Sequence, residues 1–188
     1  MSVRFLSLMG LVSLLVFLPM GLLAGELPST ETRCINDHGG LVSKADEAKF
    51  KSLCNRARKN GVQMMLVTVK SLDDYEVRSS RLDFFVDNLF DDWDIEYDEA
   101  SSAIMVFVAR KERQVRLRMG DHFSDKSWKK AERIIKRGFG PSVARRSSVG
   151  IRKGMASLYT QVAKPFIKTQ KRKERAARIK RGTVNFDQ

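Results

Sequence analysis

Residues 93 to 120 read WDIEYDEASSAIMVFVARKERQVRLRMG. An acidic stretch leads into an unbroken apolar run, Ala103 to Ala109. A charged turn follows, Arg110 to Arg113, and then Val115, Leu117 and Met119 alternate with polar residues up to Gly120. A short continuous apolar run reads as a strand buried on both faces, and strict period-two alternation reads as a half-buried one. The pair is expected to form a β-hairpin, with the first strand central in its sheet and the second nearer an edge.

Working outward, Val62 to Val69 (VQMMLVTV) is a second buried strand of β-formers, and Cys34 to Asp37 a short first one. Between them, Ser43 followed by Asp46 and Glu47 is a helix start, because a hydroxyl cap and early carboxylates satisfy exposed backbone N–H groups. Phe50, Leu53, Cys54 and Ala57 then recur at helical spacing, and Asn60-Gly61 ends the helix. A second helix is expected from a cap at Asp73 or Asp74, with Leu82, Phe85, Val86 and Leu89 inward. A third is expected from Asp125 to Arg137, stopped by Gly138, with Trp128, Ala131, Ile134 and Ile135 on its core face. A fourth, after Pro141, runs to Ala163 with Ile151, Met155, Leu158 and Val162 inward. Pro165 is expected to interrupt it. The order β-α-β-α-β-β-α-α predicts an α/β fold, with α+β as the alternative: one mostly four-stranded sheet flanked by helices.

The ends of the chain differ from its middle. Residues 5 to 24 (FLSLMGLVSLLVFLPMGLLA) carry no charge and follow Arg4. Residues 1–25 therefore read as a signal peptide or a membrane anchor, and the chain is expected to be exported to the periplasm or cell envelope. Residues 26–33 read as a linker, residues 34–163 as the domain, and residues 164–188 as a basic C-terminal tail. The two cysteines, Cys34 and Cys54, are either a disulfide, as export permits, or two buried thiols.

Charge is unevenly spread. Of the formal net charge of +13, residues 73 to 99 contribute −9, from eleven acidic and two basic residues. Residues 164 to 182 hold nine basic residues and one acidic one. Such a run is usually a solvated interaction segment. Nucleic acid is its common partner, but an exported chain rarely meets nucleic acid. An anionic membrane surface or an acidic envelope partner is the expectation.

These segments together resemble the TPM domain family, an envelope and organelle-membrane family. Its pattern has a Trp-x-Ile-Gly, an Asp-Asn-Gly, an apolar strand, a charged turn and a strand ending in Val-Gly-x-Gly. Cys34 to Leu41 (CINDHGGL) is similar to its opening Val-x-Asp-x-x-x-x-Leu, Met65 to Ser71 (MLVTVKS) to its second strand, and Leu89 to Ile95 (LFDDWDI) to the end of its second helix. The Asp-Asn-Gly falls on Ser101-Ser102-Ala103, and the second Gly of Val-Gly-x-Gly falls on His122. The resemblance implies divalent-metal binding at acidic residues near the end of the sheet, and links the family to acid phosphatase activity.

Six carboxylates occupy the nine residues from Asp91 to Glu99: Asp91, Asp92, Asp94, Glu96, Asp98 and Glu99. Crowded carboxylates need solvent, a basic partner or a cation, and hard cations such as Ca²⁺ take several oxygen ligands from such loops. Asp37 matches the family's first acidic position, and Asp121 follows Gly120 directly. Asp37, Asp98 and Asp121 are therefore the candidate ligands for Ca²⁺ or Mg²⁺; the alternative is a plain acidic surface. His122 and His38, next to Asp121 and Asp37, are candidate acid–base groups. Ser101 and Ser102 lack a Gly-x-Ser-x-Gly elbow and are not expected to be nucleophiles. Gly150-x-x-x-Gly154 permits close packing, expected against the sheet. The loss of the Asp-Asn-Gly acid favours an accessory or binding module; the alternative is a metal-dependent acid phosphatase acting on phosphomonoesters.

Overall fold

The structure, a computed structural model, describes residues 27–93 and 102–184. Strands β1 (Ile35–Asp37), β2 (Met64–Val69), β3 (Ile104–Ala109) and β4 (Gln114–Met119) form one sheet in the order β1-β2-β3-β4. The first three strands are parallel and β4 returns antiparallel to β3. This is the expected four-stranded α/β arrangement. Every residue of β2 and β3 is buried. Parallel strands covered on both faces lose the alternating pattern, which is why both segments are continuous apolar runs.

Two cores result, one per face. Leu66, Ile104, Val106 and Val108 point to one side. There they meet α1 (Lys44–Arg58), α3 (Asp125–Ile134), α5 (Ser148–Leu158) and the start of α6 (Lys164–Val184). Met65, Val67, Met105 and Phe107 point to the other side and meet α2 (Leu82–Asp92). Phe107 packs edge-on against Phe85, with ring centroids 5.7 Å apart. Burying each of these large side chains stabilises the fold by about 1.5–3 kcal/mol.

The remaining strand, β4, shows why its sequence alternates. Val115 and Leu117 pack against the first core. Arg116 and Arg118 point to the other face and pair with Asp83 and Asp87 of α2, the second pair at 3.0 Å. Four helical residues rise about 6 Å and two strand residues about 6.6 Å, so the two pairs form matched rungs. Arg118 also lies over the Phe90 ring, 5.2 Å from its centroid. The polar face of this strand is thus partly covered by an acidic helix.

Several expectations need correction. The second helix starts at Leu82, not at Asp73; two short 3₁₀ turns, Asp73–Tyr75 and Ser79–Arg81, precede it. Gly138 does not end the third helix, which continues through a π turn, Ile135–Phe139, into α4 (Gly140–Ala144). The break falls instead between α4 and α5, where Arg146 is left-handed (φ 52°) and Ser147 caps α5. Nor does Pro165 interrupt the last helix: a second π turn, Tyr159–Ala163, leads straight into α6. Both π turns end two residues before a proline, Pro141 and Pro165. Proline has no N–H for the carbonyl four residues back, and the wider i→i+5 register, seen in Gly140 N–H to Ile135 O and Lys164 N–H to Tyr159 O, carries the helix past it. The first turn of α6 belongs to the core: Ile167 is buried, and Phe166 stacks at 4.5 Å on Phe123.

Residues 27–33, read as a linker, lie against the domain. The Trp93 indole N–H donates to the Pro28 carbonyl at 3.1 Å, and the Asn36 side chain accepts from Glu31 and Thr32 N–H, both at 2.8 Å. The cysteines form the disulfide Cys34–Cys54, tying the start of β1 to α1. Closing a loop of this length stabilises by about 3 kcal/mol on the chain-entropy estimate. The Gly150–Gly154 motif packs on a helix, not on the sheet. A Cβ at Gly154 would come within 2.5 Å of the Phe139 ring, so only glycine allows this crossing. Among the described residues no helix is long and apolar enough to cross a membrane.

Asp46 links α1 to α5. It is 4% exposed and accepts from Ser148 Oγ at 2.7 Å, Arg152 Nε at 2.6 Å and Ser43 Oγ at 3.1 Å. The Ser148 hydroxyl, with Arg152 and Ser43 and against the opposing effect of burial, holds its carboxyl below the usual carboxylate range. A folded-state pKa below the unfolded value gives stability that is present above the unfolded pKa, near 4, and is lost as pH falls through the folded value. Asp46→Asn is expected to be less stable than wild type at pH 7 and to lose less on acidification, so that urea-denaturation curves of the two proteins converge at low pH. Parallel losses at every pH would contradict this role.

Candidate functional site

The three parallel strands end on one rim, and Asp37 sits there at the end of β1. Its Oδ1 accepts from Leu41 N–H at 2.9 Å and from the Thr68 hydroxyl, and its Oδ2 accepts from Val42 N–H at 2.8 Å. The turn it holds contains Gly40 at φ 61° and Gly39, where a Cβ would lie 2.8 Å from Thr68 Oγ1. Arg110 donates to the Gly39 carbonyl at 2.8 Å. Nearby, Glu112 accepts from the Ser71 hydroxyl at 2.7 Å and Leu72 N–H at 3.0 Å, and Lys111 pairs with Asp73 at 2.5 Å. The Lys111 ammonium holds the Asp73 carboxyl below its ordinary range. This rim is knit together by its own hydrogen bonds.

Asp121 lies at the opposite rim. Met119 registers with Ile104, the first residue of β3, and Gly120 N–H donates to the Ala103 carbonyl at 2.9 Å. Asp37 and Asp121 are therefore separated by roughly the length of a six-residue strand, on the order of 17 Å. The structure does not bring them together, and Asp98 lies outside the described residues, as do Asp94, Glu96, Glu99 and Ser101. Asp91 and Asp92 are exposed on the last turn of α2. Among the described residues, no group of three His, Cys, Asp or Glu side chains is placed to hold a metal ion.

His38 contacts the Ser29 carbonyl through Nε2 at 3.0 Å and so helps hold the N-terminal segment down. His122 contacts the buried Ser102 hydroxyl through Nδ1 at 3.3 Å. Ser102 was not expected to be a nucleophile for want of a Gly-x-Ser-x-Gly elbow, yet the hairpin brings a base beside it. Hydroxyl and imidazole are the first two members of a nucleophile–base–orienter arrangement. No described carboxylate hydrogen-bonds the imidazole, so the third member is not in place among the described residues.

The larger feature is a division of charge by the sheet. On the α2 side, residues 73–93 carry seven acidic and two basic residues. On the other side, residues 125–184 carry nineteen basic and three acidic residues, a net charge of +16. The basic surface is thus not the tail alone, as residues 164 to 182 suggested. It begins on α3 and includes Arg145 and Arg146. The signal was present in the sequence: Lys126, Lys129, Lys130, Arg133 and Arg137 recur at steps of one, three and four, which places most of them on neighbouring rows of one helix. In α6 the basic residues are exposed, and Lys171 donates to Asn60 Oδ1 at 2.7 Å, which seats the helix beside the end of α1.

Comparison with known proteins agrees with the geometry. The family model described as TPM domain matches residues 35–161. The solution structure of the N-terminal domain of a protein from P. gingivalis is 20% identical, with a TM-score of 0.56, and the match covers 69% of this chain and 81% of that one. The N-terminal domain of a protein from Corynebacterium glutamicum is 14% identical, with a TM-score of 0.49, over 73% of this chain and 85% of that one. No curated protein sequence matches the chain.

Asp37→Ala is expected to leave two N–H groups and a hydroxyl without their acceptor. It should lower stability by about 1–3 kcal/mol in urea denaturation. The same loss is expected with a chelator present. A loss that vanishes in chelator would make Asp37 a metal ligand rather than a turn clamp.

Proposed function

Because this chain belongs to the TPM domain family, with the sheet and helices that the family match and the solved relative share, we propose that it acts as an accessory binding module that docks through its basic helical layer on an anionic membrane surface of the cell envelope. The observation that carries the reading is the +16 layer on one side of the sheet, with an acidic helix on the other. Such a molecule is an electrical dipole. An anionic surface attracts one side and repels the other, so the charge that draws the protein in also orients it. Export, as expected from the apolar segment behind Arg4, would bring this layer to envelope lipids rather than to nucleic acid.

The phosphatase alternative needs a metal to polarise a phosphoryl group and a carboxylate to orient water. The carboxylate matched from the family, Asp37, already accepts two N–H groups of its own turn and the Thr68 hydroxyl. The proposal for Ca²⁺ or Mg²⁺ therefore rests on Asp121 at the other rim together with Asp98, which lies outside the described residues. A cation bound there would offset repulsion among neighbouring carboxylates without a catalytic duty.

The test uses the chain beginning at Glu26, the form expected after cleavage, and vesicles of phosphatidylglycerol or phosphatidylcholine. Binding to the first and not to the second is expected, with release at 1 M salt, where the Debye length is about 3 Å. Each basic residue near an anionic surface contributes about 1 kcal/mol. Replacing Lys168, Arg172, Arg175 and Arg178 by Gln should therefore weaken binding by about 10²–10³-fold. Equal binding of this variant would remove the layer's proposed role. Phosphomonoester turnover abolished by Asp121→Ala would promote the enzyme reading.

A further inference from the structure

Between α3 and α5 lies an open groove of about 500 Å³, within the size range of small-molecule sites. Lys130, Arg133 and Arg137 form one wall, spaced three and four residues apart. Lys153, Ser157 and Gln161 form the other, spaced four apart. Helical periodicity therefore presents two facing stripes. Four cations, two hydroxyls counting Ser142, and one amide converge on the groove, and no carboxylate lines it.

The backbone explains how the groove stays open. Gly138 and Gly154 face each other where the helices cross: a Cβ at Gly138 would lie 3.9 Å from the Gly154 Cα. A Cβ at Gly154 would clash with the Phe139 ring, whereas one at Gly138 would only fill space on the groove floor. Arg137 and Gln161 stand four residues before Pro141 and Pro165, inside the two π turns. The π register widens each helix at the residue that lines the groove, and such turns recur at functional sites.

Arg133 Nε donates to the Lys129 carbonyl of its own helix at 3.2 Å, which leaves the terminal guanidinium nitrogens for a ligand. Among the described residues Lys130, Arg133, Arg137 and Lys153 form no ion pair. Like charges three and four residues apart on one helix repel, and a cleft of one sign concentrates counter-ions. A second basic recess, beside α6, is a weaker candidate, because Tyr159, Pro165 and Ile167 make much of its wall and Lys171 is bonded to Asn60.

We propose that the groove between α3 and α5 binds a phosphomonoester or pyrophosphate group, held by Arg133 and Arg137 from one helix and Lys153 from the other. Guanidinium forks match the spacing of phosphate oxygens, and a dianion satisfies several donors at once. The surface reading asks only for total charge and spreads over the whole layer. This site asks for a particular anion at one place, and it stands whether or not the layer adsorbs to membranes.

The experiment is a nuclear magnetic resonance titration of the full chain in zwitterionic detergent. The probes are sodium pyrophosphate, short-chain phosphatidic acid and, at matched ionic strength, sodium chloride. Saturable shifts at the amides of Arg133, Gly138, Gly154 and Ser157 are expected with a phosphate probe and not with chloride. The double variant Arg137→Gln/Lys153→Gln should weaken that binding about tenfold or more, since it removes two charge-assisted contacts. The Lys168, Arg172, Arg175 and Arg178→Gln variant, which tests surface adsorption, should leave it unchanged. Saturation by phosphatidic acid alone assigns a lipid headgroup, and saturation by pyrophosphate assigns a soluble phosphate; both support the groove. Shifts that are non-saturable, spread along α6, or unchanged in the double variant would overturn it.

Discussion

β2 and β3 run through the molecule with every side chain buried, so both faces of the sheet must be covered. One cover is the single helix α2. The other is the stack from α3 to the start of α6, with α1 beside it. This requirement shapes everything else. The polar side chains of β4 face α2 at a partly solvated edge, and α2 answers Arg116 and Arg118 with Asp83 and Asp87 in step with them. An acidic cover on one side and a basic strand edge beneath it set the direction of the charge gradient that continues into the opposite layer.

What the chain revealed before its structure was known follows from how local each signal is. The two buried strands and the hairpin were legible, because a run such as IMVFVA between a polar stretch and a charged turn has few other readings. The inward faces of α2 and of α5 with the π turn after it were legible from spacing alone: Leu82, Phe85, Val86 and Leu89, and Ile151, Met155, Leu158 and Val162, are all buried. Gly138 and Pro165 misled for opposite reasons. Gly138 reads locally as a helix stop, but it lies inside a continuing π turn opposite Gly154, sixteen residues on, and nothing local signals that neighbour. Pro165 reads as a breaker, yet a π turn accommodates it at the cost of one wider turn, and the buried Ile167 and stacked Phe166 hold the continuation in place.

The candidate site was less legible than the fold. Asp37 was singled out by its match to the family pattern, but its oxygens serve the turn that follows it. Its pairing with Asp121 was at odds with the expected hairpin, which carries the end of β4 back to the start of β3. The antiparallel return of β4 puts Asp121 at the start of the parallel strands rather than at their end. Ser102 and His122 were brought together by that same hairpin, at positions where the family pattern has Asp-Asn-Gly and Gly. The basic tail was recognised, whereas the basic helices before it were not, because their charges are interleaved with core residues and only a helical projection separates the two.

The central claim is one of orientation: the basic layer faces an anionic surface, and α2 faces away. Paramagnetic relaxation enhancement tests this most directly, with isotope-labelled protein on phosphatidylglycerol vesicles doped with a headgroup spin-labelled lipid. Selective broadening of amides in residues 125–184, strongest near Lys129, Lys153 and Arg172, with sharp signals at Phe84 and Asp87, is the predicted result. Broadening centred on α2, or spread evenly over both covers of the sheet, would contradict the account.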